Sequence, residues 1–208
     1  MSEALFDKRL VPVAVIERKE DAVPLAKALI AGGLNVIEVT LRTPVAMDAM
    51  RAIKAGVPEM QVGAGTVIDP AVVPELKELG CSFVVSPGLN PEVVKACQDN
   101  GLMITPGVVT PGEVEKGLSL GLKVLKFFPA EAVGGVKMLK ALAGPYGHTG
   151  VKFIPTGGIN AEKAKDYWAL PIVAAVGGSW FVDKALVNTG KFDEITRLTQ
   201  EALKVAEG

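Results

Sequence analysis

A chain of 208 residues, 49% of them apolar, can bury one large core and lies near the lower end of the roughly 200 to 400 residues of a (β/α)8 barrel. Its 22 lysines and arginines are balanced by 23 aspartates and glutamates, so there is no basic field to gather nucleic acid. No apolar run reaches the roughly 18 residues of a membrane span, and the mixed charges of residues 1–9 lack the pattern of a signal peptide, which points to the cytoplasm.

After a short N-terminal helix, the first strand is expected at residues 11–16, and a helical apolar spacing over 21–31 leads to a second strand at 35–41. Side chains alternate along a strand, so Glu38, Thr40 and Arg42 share one face while Ile37, Val39 and Leu41 share the other. The apolar set suits a covering helix, which turns the polar set towards the interior, where an ionised carboxylate is expensive unless paired. Arg42 has the planar fork that grips a carboxylate, although taken alone it also reads as a surface residue. A helix at 45–55 then precedes strands at 61–66 and 83–88, and a helix at 91–100 precedes a strand at 102–107. Cys81 and Cys97 sit inside these elements without CxxC spacing and read as reduced packing residues.

In the sixth strand, 124–128, Val124, Lys126 and Phe128 share a face, placing one ammonium among apolar neighbours. Burial disfavours the charged amine, the condition under which a lysine becomes a nucleophile towards a carbonyl. The alternatives are a structural ion pair with Glu38 or a side chain that snorkels past the helices. Lys123 and Lys152 stand at strand starts instead. Glu38, the only carboxylate at an inward strand position, is the candidate proton shuttle, or else a simple counter-charge.

The turn-rich stretch 144–150 is read as a loop and holds His148, the only histidine. One histidine supports neither a histidine-cluster metal site nor a Ser/His/Asp hydrolase. The last two strands, 152–158 and 173–179, end in Thr156-Gly157-Gly158 and Gly177-Gly178-Ser179. Such ends offer backbone N–H groups and hydroxyls to a phosphate, or simply make tight turns. A helix at 192–206 closes the chain.

Eight strands roughly 20 to 29 residues apart, alternating with helices, predict an α/β fold: a single (β/α)8 TIM barrel over residues 1–208. An open doubly wound sheet is the alternative, but a GxGxxG opening the first unit is absent.

Six blocks carry a family resemblance: Glu38-Val39-Thr40-Leu41-Arg42-Thr43, Val62-Gly63-Ala64-Gly65-Thr66, Ser86-Pro87-Gly88, Lys126-Phe127-Phe128-Pro129-Ala130-Glu131, Pro155-Thr156-Gly157-Gly158-Ile159 and Gly177-Gly178-Ser179-Trp180. Together they resemble the 2-keto-3-deoxy-6-phosphogluconate (KDPG) aldolase family, often also active on 4-hydroxy-2-oxoglutarate (KHG). The resemblance implies a class I aldolase with Lys126 as the Schiff-base lysine and Glu38 as acid and base. It implies Arg42 and Thr66 on the pyruvyl carboxylate, and Pro87 and Phe128 beside the imine. Gly157, Gly158, Gly178 and Ser179 would then hold phosphate, and Thr156 a substrate oxygen. The chemistry it implies needs no cofactor and no metal. The substrate would be a phosphorylated 2-keto acid of the Entner–Doudoroff route, cleaved to pyruvate and glyceraldehyde 3-phosphate by a homotrimer. A sister aldolase for the galactonate epimer and a non-imine phosphate-binding barrel enzyme are the rival readings.

Overall fold

The structure is a computed structural model that describes residues 5–207; the short N-terminal helix expected from the sequence lies outside them. Eight parallel strands, β1 Leu10–Ala14, β2 Val36–Thr40, β3 Gln61–Gly65, β4 Phe83–Ser86, β5 Ile104–Val108, β6 Val124–Phe127, β7 Lys152–Pro155 and β8 Val176–Gly178, alternate with helices. The helices are α1 Ala22–Ala31, α2 Ala46–Gly56, α3 Val73–Leu79, α4 Pro91–Asp99, α5 Pro111–Ser119, α6 Gly135–Tyr146, α7 Ala161–Trp168, α8 Lys184–Asn188 and α9 Phe192–Glu207. The ladder runs β7-β6-β5-β4-β3-β2-β1-β8. Its ends meet through two isolated parallel bridges, Phe153 with Val173 and Thr156 with Gly177, which close the barrel.

Strands covered by helices on one face and by the barrel interior on the other are buried throughout, which is why β1, β2 and β5 carry no exposed residue. Helix starts follow the chemistry of their caps. Asn90 and Asn160 accept from the N–H groups of Glu92 and Lys163 at 2.9 and 3.0 Å, and Thr110 with Glu113 forms a reciprocal capping box at the start of α5.

The stretch 144–150, expected as a loop, is helical instead. Helix α6 continues through Gly144 and Pro145 to Tyr146, and a 3-10 turn follows at Gly147–Thr149. Pro145 stands in the last turn, where the carbonyl it leaves unserved belongs to exposed Ala141 and can meet water. Tyr146 is buried and its hydroxyl donates to Glu115 at 2.9 Å, a tertiary anchor that outweighs the local turn signals.

Glycines hollow the barrel where larger side chains enter it from neighbouring strands. A Cβ at Gly63 would lie 2.2 Å from the Phe83 ring, one at Gly65 2.2 Å from Glu38 Oε1, and one at Gly177 2.3 Å from Thr156 Oγ1. Phe6, just before β1, fills the amino-terminal end and meets Phe83 edge to face with ring centroids 6.4 Å apart. Both cysteines are buried packing residues, and burial pushes the thiol of Cys81 up to about 12 and that of Cys97 to about 11.

The size match between positions 63 and 83 sets a stability test. Gly63→Ala overpacks the interior against the Phe83 ring and is expected to lower unfolding stability by about 1–3 kcal/mol, read as a lower urea midpoint with an unchanged slope.

Candidate active site

Glu38 projects inward from β2 and Lys126 from β6, across the barrel from one another. Lys126 Nζ stands 3.7 Å from Glu38 Oε1, and both side chains are less than a tenth exposed. The ammonium lies 5.0 Å from the centroid of the Phe128 ring. At 3.7 Å the pair is an ion pair without a hydrogen bond, and Glu38 Oε1 has no hydrogen-bond partner among the described residues.

These numbers bear on the readings of the lysine. A buried, unmatched polar oxygen costs about 1–3 kcal/mol, and more when charged. A pair selected for stability alone would be expected to close that gap and satisfy the oxygen, so the geometry weighs against a purely structural ion pair. Snorkelling fails because Lys126 is buried. Lys123 and Lys152 are exposed at the opposite, amino-terminal end, as their positions at strand starts predict.

The pair lines one small space and lies near a larger one. Towards the barrel's amino-terminal end lies a small space of about 10 Å³, touched by Glu38, Thr105, Lys126 and Thr156 and by apolar side chains that include Phe6 and Phe83. It is of the order of one water molecule. At the carboxyl ends of the strands lies a cleft of about 310 Å³, within the range of small-molecule sites. Thr156 lines both spaces and therefore links the ion pair to the cleft.

Of the residues proposed from sequence, Arg42, Phe128, Thr156, Gly157, Gly158, Gly178 and Ser179 line this cleft. Arg42 is exposed there and forms no salt bridge among the described residues, leaving its fork available to a carboxylate. Gly157 and Gly158 have φ of 103° and 75°, values that L side chains rarely adopt, so their loop backbone depends on glycine. Thr66 and Pro87 are not in the cleft wall; they follow β3 and β4 at the same end of the barrel. Thr66 is held at φ 60°, a strained conformation for a β-branched residue that costs of order 1–3 kcal/mol. Close packing holds Pro87, whose carbonyl oxygen would lie 1.9 Å from a Cβ on Gly107.

Sequence reasoning did not single out the other cleft residues: Val13, Val15, Ile159, Val182, Asp183 and Lys184. Lys184 pairs with Glu17 at 2.6 Å, and Asn188 donates to the same carboxylate at 2.7 Å, fixing the outer wall. Those contacts, Lys184 foremost, hold the Glu17 carboxyl below its ordinary value.

Glu131 was quoted within a sequence block but given no role. Its carboxylate accepts from the Tyr167 hydroxyl and pairs with Lys163 Nζ, both at 2.6 Å. Lys163 first and Tyr167 second hold its carboxyl below the usual range, while burial, followed by Glu131, pushes the Tyr167 hydroxyl up. The only sequence signal was its place five residues after Lys126. Among the described residues no group of three histidine, cysteine, aspartate or glutamate side chains comes together to hold a metal ion, and no helix is long and apolar enough to cross a membrane.

A closed barrel with an inward lysine and glutamate beneath a glycine-lined cleft has the architecture of the lysine-dependent, Schiff-base aldolases. The chain belongs to the KDPG and KHG aldolase family, whose model matches residues 1–198. It is 46% identical over 203 residues to the 2-dehydro-3-deoxy-phosphogluconate aldolase of Haemophilus influenzae, covering 98% of this chain and 95% of that one. Against the KHG/KDPG aldolase of Escherichia coli the identity is 49% over 198 residues, with coverage of 95% and 92%. The solved KDPG aldolase of Legionella pneumophila, with pyruvate captured at low pH as a covalent carbinolamine intermediate, matches with a TM-score of 0.92 and 43% identity over 96% of this chain and 97% of that one. A thiamine phosphate pyrophosphorylase from Pyrococcus furiosus shares the fold alone, with a TM-score of 0.67 at 17% identity and 98% coverage of each chain.

The room that Gly65 leaves for Glu38 provides a local test. Gly65→Ala is expected to displace the carboxylate from Lys126 and to lower kcat for aldol cleavage by about 10²-fold or more, the usual worth of a positioned proton shuttle. Near-native circular dichroism should show that the barrel persists.

Proposed function

We propose that the chain is a class I aldolase that reversibly cleaves 2-dehydro-3-deoxy-6-phospho-D-gluconate to pyruvate and D-glyceraldehyde 3-phosphate, with Lys126 as the imine-forming amine. The observation that carries this reading is the buried Lys126–Glu38 pair, 3.7 Å apart with an unmatched carboxylate oxygen, beneath a cleft that ends in two glycine loops.

In this mechanism Lys126 first passes its proton to Glu38, and the resulting neutral amine attacks the C2 keto carbon. Glu38 transfers protons until the carbinolamine loses water and leaves a protonated imine. Glu38, as a carboxylate, takes the proton of the C4 hydroxyl; the C3–C4 bond breaks and its electrons flow into the imine, giving an enamine. Glyceraldehyde 3-phosphate departs. Protonation at C3 and hydrolysis of the resulting imine release pyruvate and restore the free amine. Arg42 and Thr66 hold the pyruvyl carboxylate, Pro87 and Phe128 bound the imine, and Thr156 meets a substrate oxygen. Gly157, Gly158, Gly178 and Ser179 hold the phosphate through backbone N–H groups and one hydroxyl.

With a shorter substrate, 4-hydroxy-2-oxoglutarate, the same steps yield pyruvate and glyoxylate. Neither substrate calls for a cofactor. The reading extends to a homotrimer, as the family resemblance implies, and to the cytoplasm, where the charge of phosphorylated sugar acids retains them.

Incubation with pyruvate and borohydride, followed by peptide mass spectrometry, is expected to place a reduced pyruvyl adduct on Lys126. Lys126→Met should abolish both adduct and turnover while keeping the fold. Failure to trap any adduct, with phosphate ligands still bound, would favour a phosphate-binding barrel enzyme without imine chemistry. Turnover of the two phosphorylated epimers is expected to favour the gluconate form in kcat/KM; preference for the galactonate form would reassign the substrate and leave the amine's role intact.

A further inference from the structure

We propose that Glu131 is a positioning residue that fixes the loop at residues 156–158 relative to Lys126 and so tunes the site to a phosphorylated substrate. The inference rests on the reading that this loop holds the phosphate.

Glu131 holds the loop by its backbone and the helix after the loop by its side chain. On the upstream side, the N–H groups of Ala130 and Glu131 donate to the carbonyls of Thr156 and Gly157 at 2.8 and 3.1 Å, carrying the β6–β7 ladder past the strands and into the cleft wall. On the downstream side, the Glu131 carboxylate takes the hydroxyl of Tyr167 and the ammonium of Lys163, both on α7. Helix α7 begins directly after the loop, where Asn160 caps it. Glu131, five positions beyond Lys126, thus ties the exit of the lysine strand to Gly157 through its backbone and to the helix that follows the loop through its carboxylate.

Packing leaves this carboxylate little freedom. A Cβ on Gly158 would lie 2.9 Å from Glu131 Cβ, so the loop rests on the side-chain stem. A Cβ on Gly135, the first residue of α6, would lie 3.1 Å from both Glu131 Oε1 and the Tyr167 hydroxyl. Tyr167 itself is fully buried. Glu131 is not in the wall of the cleft, so it acts through the loop and not on the reacting atoms. A brace of this kind affects the phosphate end of a long substrate and leaves imine formation at the other end untouched.

The test compares Glu131→Ala, Glu131→Gln and Tyr167→Phe with the unaltered protein. The readouts are kcat and KM for the phosphorylated substrate and for 4-hydroxy-2-oxoglutarate, competition by inorganic phosphate, and borohydride trapping with pyruvate. Glu131→Ala is expected to raise KM for the phosphorylated substrate about ten- to a hundred-fold, the effect of displacing a binding element by about an ångström. Phosphate competition should weaken in parallel, while pyruvate trapping and kcat/KM for 4-hydroxy-2-oxoglutarate stay within about two-fold of the unaltered protein. Glu131→Gln keeps the stem and an acceptor for Tyr167 and should recover most of the loss, with Tyr167→Phe in between. A merely structural glutamate would depress both substrates and trapping alike, and that result overturns the proposal. So does phosphate competition that is present and unchanged in Glu131→Ala and Tyr167→Phe. If inorganic phosphate fails to compete even in the unaltered protein, the phosphate reading of the loop falls, and the proposal falls with it.

Discussion

Lys126 and Glu38 face each other as the two charged side chains inside a barrel otherwise filled by apolar residues and a few threonines and serines, and the surrounding residues follow from what it takes to hold two charges there. Removing each ion from water costs several kcal/mol, and attraction across 3.7 Å recovers the loss only with good geometry and further hydrogen bonds. The pair lacks that completeness, since Glu38 Oε1 is unmatched. An arrangement that is poor for the resting protein and is joined to the cleft through Thr156 suits a site in which substrate atoms supply the missing partners. Stability is then drawn from the apolar strands and helices around the pair, which leaves the pair itself for the proposed imine chemistry.

The ring of neighbours divides this work by position. Glycines at 63, 65 and 177 make room, while Phe6 and Phe83 close the amino-terminal end against solvent. At the carboxyl end the walls turn polar and glycine-rich, with Arg42 on one side and the loops after β7 and β8 on the other. The asymmetry is the usual one for parallel barrels, in which one end is built for packing and the other for ligands.

Much of this was legible in the sequence, because strands buried on both faces are written almost wholly in apolar residues and a charged exception stands out. Glu38 and Lys126 were visible as such exceptions, and strand alternation turned them inward. The glycine pairs were visible by their place at the ends of the seventh and eighth strands. Features set by loop paths were not. Asp183 and Lys184 enter the cleft wall from a stretch after the eighth strand in which no helix was expected, Val15 from the end of the first strand without a polar signal, and the strained φ of Thr66 leaves no mark in composition. The stretch ending in Pro145 and Tyr146 read as a loop because local turn signals cannot anticipate the contact of Tyr146 with Glu115. Glu131 lies in a short turn, and its partners on α7 come from more than thirty positions further along the chain.

The join between β7 and β8 has a consequence of its own. Those two strands meet through two isolated bridges where every other neighbouring pair in the barrel forms a regular ladder. Their ends are also the two glycine segments of the cleft, one on each side of the join. An anion held by both segments at once adds the cross-links that the backbone omits there and works as a clasp on the barrel's seam. By linkage, whatever binds across the seam also resists its opening. If the proposed phosphate site spans this seam, affinity for the far end of the ligand and cohesion between β7 and β8 are two measures of one edge, while β8 keeps its own ladder to β1.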